Sequence, residues 1–502
     1  MQYETANSRS PLTFYGAILL IVFLSLTFRL FTSMPVEFGG DAIYKWSLVK
    51  QFLLFGDLPA RWNHHACRWA VNIPAFFIMK FFGTGANVYY FWPFLTATLS
   101  AVFSFLLLER IRGWRVGLAG AILVVLSVPM LRMGSQFLPM GATVTFLLGS
   151  LYFLLRWRDN GRNWNVAVSA LLLFLAYGTK VTSVYYLPAC LVLIWLLPND
   201  NRGRVWSMLL FIGVFMALLA LETYLFNILG GATFGRWELI QQSHHPIRTP
   251  GPVASWRSVS KSLPRYLANF LVYLKYPGGL NSILYYAAFS ISALAWVKKW
   301  RNTYIVAVPF VFGFLGIAYA ITSVFPFSRP ERLLFRYQTP IFELALLTVV
   351  LFLSVPRFEK CVKKYKLPFN VSDRAIRGLL FLTLVLLIAV PAFKGIQGDT
   401  GYEKTVRTME LVSKARENNL PVFIPTKRTD MHTFKQIIKY WSIFSDAHWR
   451  VPFFESGNLS SSVDYQLEKY SALKLGAETY ILVERNGFSG DISSKAVFLT
   501  DF

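Results

Sequence analysis

The sequence predicts a polytopic α-helical membrane protein that carries a small soluble α/β domain at its C-terminal end. Three observations predict it. Apolar runs of roughly bilayer-spanning length recur through positions 1–394, as a hydrocarbon core about 30 Å thick demands of helices. Basic residues gather in the short connections between those runs. Hydropathy then collapses, leaving 395–502 long enough for a domain of its own. The composition agrees: of 502 residues, 55% are hydrophobic and 17% aromatic, with a mean hydropathy of +0.44.

The first span is read at 12–31; it is long, lacks a small-residue cleavage site and is expected to stay uncleaved. A polar and aromatic stretch, 32–88, follows, with a weakly amphipathic run at 72–82 expected to lie in the interface. Further spans are read at 89–108, 116–131 and 137–155. The next apolar run, 166–197, would reach about 48 Å as one helix at 1.5 Å per residue, too long for one crossing. It is therefore broken at Gly178-Thr179-Lys180 into two. Spans at 207–226, 283–297, 304–323, one opening near 337 and one at 378–393 complete a set of about eleven, with a long polar stretch at 229–279. In the last domain, 403–418 and 465–475 read as helices, and 421–425 and 479–483 as strands.

Charge fixes the expected orientation. Lys+Arg number 50 against 26 Asp+Glu, a formal net charge of +24. With the N-terminus cytoplasmic, the basic loops 109–115, 156–162, 202–204, 298–301 and 357–377 all fall on the cytoplasmic side. Joining the two halves of 166–197 would break this asymmetry. The basic excess thus belongs to membrane topology and anionic head groups, and nucleic acid is not an expected partner. Cys67, Cys190 and Cys361 are far apart and form neither a disulfide framework nor a Cys-x-x-Cys zinc pattern.

The same topology collects unusual chemistry outside. All six histidines (His64, His65, His244, His245, His432 and His448) fall there, with Glu37, Asp41, Asp57, Glu238, Glu331, Arg332 and Arg336. The spans read as nearly free of ionisable groups, whereas a transporter would place them near mid-membrane. The densest segment is Glu37-Phe38-Gly39-Gly40-Asp41-Ala42-Ile43-Tyr44, continued by Trp62-Asn63-His64-His65-Ala66-Cys67-Arg68-Trp69 and Pro74.

This order resembles the first external loop of the GT-C membrane glycosyltransferases, nearest to protein O-mannosyltransferases and aminoarabinose lipid A transferases. The order is an external Gly-Asp-x-x-Tyr, a Trp-x-His-His element about twenty residues on, then an interfacial helix with Pro74. Gly178-Thr179-Lys180 between paired spans and Arg336-Tyr337-x-x-Pro340 opening a late span are also similar to that group. The resemblance implies transfer of a sugar, with inversion, from a polyprenyl phosphate to an acceptor hydroxyl of a lipid, glycan or protein.

Asp41 would be the general base, since one carboxylate suffices when the leaving group is already a phosphate. Arg68, Lys180, Arg332, Arg336 and Tyr337 would hold the donor phosphate, where negative charge develops. Tyr44, His64, His65, His244 and His245 would contact substrate. The group shows Asp-Glu where this chain has Asp41-Ala42, so no cofactor is implied and a divalent metal is unsupported. The location implied is a bacterial inner membrane, with the last domain periplasmic.

Simpler readings stand beside these. Asp41 after two glycines caps a helix, the histidine pair is an interfacial hydrogen-bonding pair, Arg332 and Arg336 anchor head groups, and Lys180 snorkels. A polymerase or ligase of lipid-linked glycans, and a lipid or solute transporter, are the alternative functions.

Overall fold

The computed structural model describes residues 11–32, 41–56, 64–197, 202–244, 279–319 and 338–354. It also describes a few positions between them and the strand residues 422–425, 470–475, 479–484 and 497–498. The chain divides into two compact units. One comprises Met1–Ser33, Cys67–Val71 and Pro93–Lys394; the other comprises Met34–Ala66, Asn72–Trp92 and Gly395–Phe502.

The first unit is a helix bundle. Its helices are α1 (Pro11–Thr32), α5 (Phe91–Arg112), α6 (Trp114–Leu126), α7 (Val128–Gly134), α8 (Pro139–Asn160), α9 (Asn163–Thr179), α10 (Tyr186–Leu196) and α11 (Arg202–Gly230). After them come α12 (Arg236–His244), α13 (Gly279–Val297), α14 (Arg301–Ala318) and α15 (Thr339–Leu353). Five helices among the described residues are long and apolar enough to cross a membrane: Pro11–Thr32, Asn87–Arg112, Pro139–Asn160, Gly203–Gly230 and Arg301–Ala318. The protein is an integral membrane protein. Two of those helices, α1 and α11, have only 22% of their apolar window buried, leaving broad apolar faces for lipid.

Sequence punctuation sets the breaks. Ser127 ends α6 in extended backbone, and its hydroxyl accepts from the Met130 N–H to cap α7, which carries Pro129 in its first turn. This break replaces the single span expected at 116–131 with two shorter helices. Gly161, at φ +66°, closes α8 in the left-handed conformation. Helix α9 stops at Thr179, Lys180 is extended (φ −154°, ψ 124°), and a 3-10 turn over Val181–Tyr185 precedes α10. The long apolar run is thus broken at the Gly-Thr-Lys position.

Between the helices, hydroxyl pairs replace the water-driven association that lipid cannot supply: Ser25–Thr98 at 2.9 Å, Ser100–Thr145 at 2.8 Å, Thr143–Thr179 at 2.7 Å and Ser150–Ser169 at 2.8 Å. Each such pair contributes about 0.6–2 kcal/mol. Between α13 and α14, Tyr285 and Phe289 meet Phe314 edge-on, and Phe289 meets Phe310 at a tilt. At one end Arg110 meets Asp159 (2.5 Å) and Arg158 meets Asn302 (2.9 Å), so loops expected on one side of the membrane converge.

The second unit holds α2 (Asp41–Phe55), most of α3 (Trp69–Phe82), α4 (Ala86–Tyr89) and four strands. The Trp46 and Tyr89 rings meet edge-on at 5.4 Å, and Phe52 meets Phe76 at 5.6 Å. The strands β1 (Val422–Pro425), β2 (Tyr470–Leu475), β3 (Thr479–Glu484) and β4 (Val497–Phe498) form one sheet in the order β2-β3-β1-β4. All pairings are antiparallel except β1 with β4.

The sequence predicts a helix over 465–475, whereas Tyr470–Leu475 is a strand. Its register on β3, from Tyr470↔Glu484 to Leu475↔Thr479, makes a hairpin whose cross-strand pairing outweighs a local pattern compatible with either structure. The helix expected at 403–418 lies outside the described residues.

Candidate functional site

Asp41 opens α2, where the exposed amides of a helix N-terminus suit a carboxylate. Its Oδ1 lies 3.6 Å from His65 Nε2. The Lys45 ammonium, one turn on, donates to the Asp41 carbonyl at 2.6 Å. His65 is held from three sides. Its ring lies 3.7 Å from the His64 ring and 4.9 Å from the buried Tyr44 ring. The Asn72 side-chain amide donates to the His65 and Ala66 carbonyls at 3.1 and 3.0 Å. Four expected site residues, Asp41, Tyr44, His64 and His65, therefore converge within the second unit. The arrangement sets a partly buried carboxylate beside an imidazole, a group able to take a proton from an approaching hydroxyl.

In the first unit Lys180 is buried, and its Nζ lies 3.7 Å from Met140 Sδ. It lines a small cavity with Thr143, Ser183, Tyr186 and Pro340. The buried Ser183 hydroxyl on that wall has no hydrogen-bond partner among the described residues. Arg68 begins the turn into α3, its carbonyl accepting from the Val71 N–H at 2.9 Å. Beside it, burial pushes the Cys67 thiol up to about 12, so it stays protonated at neutral pH.

His244 is the last residue of α12, in a stretch read from sequence only as polar. His245, Arg332, Arg336 and Tyr337 lie outside the described residues. Among the described residues no group of three or more His, Cys, Asp or Glu side chains converges as a metal site would require.

Sequence reasoning missed a second cluster. Glu222 of α11 pairs with Arg236 at 3.4 Å and accepts from the Trp69 indole N–H. Arg236 also donates to the carbonyls of Tyr177 (2.9 Å), Gly178 (3.1 Å) and Cys67 (3.4 Å), with its guanidinium 4.1 Å above the Tyr177 ring. Glycine makes the fit possible. Gly231 and Gly235, at φ +65° and +63°, turn the chain back after α11, and a Cβ on Gly178 would come within 2.6 Å of Trp69. The available signals were an acid inside an apolar run and the Gly-rich turn that follows it. Glu343, hydrogen-bonded by Ser127 at 2.5 Å, likewise corrects the expectation of spans nearly free of charge, and Arg29, near the end of α1, is fully buried and bonded to Ser25 at 2.7 Å.

Residues 72–226 match the model of the dolichyl-phosphate-mannose-protein mannosyltransferase family. No curated protein matches the chain in sequence. Among solved structures, ArnT from Cupriavidus metallidurans bound to undecaprenyl phosphate is similar with a TM-score of 0.53 at 14% identity. That likeness covers 94% of this chain and 98% of the other; the apo state of the same protein gives 0.50, also at 14% identity, over 93% and 98%. The Archaeoglobus fulgidus oligosaccharyltransferase, solved with Zn and sulfate, gives 0.50 at 12% identity over 79% of this chain and 55% of that one. The chain thus spans about half the length of the archaeal protein. At such identities the likeness is one of fold.

Proposed function

We propose that this chain, with a fold similar to that of ArnT and a match to the mannosyltransferase family over 72–226, is a GT-C-type glycosyltransferase that moves a glycosyl unit from a polyprenyl-phosphate-linked donor to an acceptor hydroxyl at the external membrane face. The acceptor, a lipid, glycan or protein, gives its proton to Asp41. Its oxygen attacks the anomeric carbon from the face opposite the phosphate, and the bond to the phosphate oxygen breaks with the electron pair leaving on phosphate. Inversion follows. Lys180 and Arg68, with Arg332, Arg336 and Tyr337, receive the leaving phosphate. Tyr44, His64 and His65, with His244 and His245, line the acceptor and sugar positions.

The observation that carries this reading is the Asp41–His65 pair at 3.6 Å, a partly exposed carboxylate at a helix start. The undecaprenyl phosphate bound by the ArnT structure supports the carrier class. A transporter predicts charges inside spans, and Glu222 and Glu343 are such charges. Glu222, however, is engaged by Trp69 and Arg236, and Glu343 by Ser127, which supports a packing role for both.

The test is turnover of polyprenyl-phosphate sugars by purified protein with an acceptor extract, followed as released polyprenyl phosphate. Asp41→Asn, folded as judged by an unchanged thermal transition, loses about 10²–10⁴-fold in rate. A folded Asp41→Asn that turns over normally makes Asp41 a helix cap and moves the search to 229–279.

A further inference from the structure

We infer that Arg236 is a positioning residue for Lys180: its guanidinium fixes the break between α9 and the 3-10 turn from which the lysine projects. The inference rests on the proposed phosphate role of Lys180 and adds a residue to that site.

A helix ends with carbonyls that lack intrahelical partners. At the end of α9 two of them, Tyr177 O and Gly178 O, are taken by the two terminal nitrogens of Arg236 at 2.9 and 3.1 Å. A cation at a helix C-terminus also meets the negative end of the helix dipole. The guanidinium fork is itself fixed, by Glu222 at 3.4 Å below it and the Tyr177 ring at 4.1 Å. Glu222 is held in turn by the Trp69 indole, which presses on Gly178 where no Cβ would fit.

Two residues after Gly178 the backbone is extended at Lys180, with a 3-10 turn beyond it. Continued α-helix through 180 would rotate the ammonium to another face of the bundle. The fork that takes both carbonyls therefore decides where the Lys180 ammonium stands. A lysine at 236 would keep the charge beside Glu222 but could not fork onto two carbonyls at once.

The experiment measures undecaprenyl phosphate affinity on full-length protein in nanodiscs, with thermal unfolding recorded for each variant. The variants are Lys180→Ala, Arg236→Lys, their combination, and Arg236→Gln with Glu222→Gln, which removes the pair without stranding a buried charge. The inference expects Lys180→Ala and Arg236→Lys each to weaken binding about tenfold, and their combination to weaken it no further. A structural role alone would lower the unfolding temperature without this coupling to Lys180.

Full additivity in the combination overturns the inference, because Arg236 then acts independently of the lysine. Unchanged binding by folded Arg236→Lys and by the Gln pair also overturns it, while a weak Lys180→Ala leaves the phosphate reading standing. Normal binding by Lys180→Ala defeats the phosphate reading itself, and with it the positioning role.

Discussion

Asp41 and His65 stand 3.6 Å apart with side chains 27% and 12% exposed, whereas Glu222 and Arg236 stand 3.4 Å apart at 5% and 1%. Distance does not separate the two pairs; surroundings do. Arg236 is bound to three carbonyls and a tyrosine face, and Glu222 to an indole. Such a pair is costly to desolvate and costly to break, so it serves to hold one arrangement of the chain. Asp41 lies beside the His65 imidazole with its side chain 27% exposed, within reach of water, as proton exchange with a substrate would require. The buried carboxylate of Glu222 is thus built into the architecture, whereas the partly exposed one of Asp41 is the one we propose for chemistry.

Breaking the buried pair gives the largest effect. Arg236→Gln leaves Glu222 buried without its counter-charge and is expected to cost about 3–5 kcal/mol of stability, read as a fall in the unfolding transition in detergent. Adding Glu222→Gln should restore much of that loss; failure to restore it would mean that the three carbonyl contacts, not the ion pair, carry the stability. Gly178→Ala sharpens the comparison from the other side. Its methyl would press within 2.6 Å of Trp69, the donor to Glu222, for a predicted loss of about 1–3 kcal/mol by the same measurement. The smallest effect belongs to Asp159→Asn. Its pairs with Arg110 (2.5 Å) and Arg158 (2.8 Å) are partly exposed, and its loss should shift stability by less than about 1 kcal/mol.

Much of the membrane part was legible because its physics is one-dimensional. A 32-residue apolar run cannot cross the bilayer once, so the break at Gly178-Thr179-Lys180 follows from length and loop charge alone. The strand at Thr479–Glu484 follows from its β-branched and aromatic content. The approach of Asp41 to His65 was foreshadowed by the local order of Gly-Asp-x-x-Tyr and His-His. The Arg236 cluster was not legible in that way. Its members come from 67–69, 177–178, 222 and 236, and they meet only because Gly231 and Gly235 reverse the chain after α11. The sheet partner of Tyr470–Leu475 was hidden for the same reason: pairing across a hairpin, not local preference, made it a strand.

The proposed role of Asp41 is chemical, beyond holding structure or ligand. The direct test is to measure, on one folded preparation of Asp41→Asn in nanodiscs, both undecaprenyl phosphate affinity and donor turnover. If Asp41 is the base, affinity stays within about threefold of wild type while turnover falls about 10²-fold or more. Retained turnover, or a loss of affinity that accounts for the lost turnover, would contradict it.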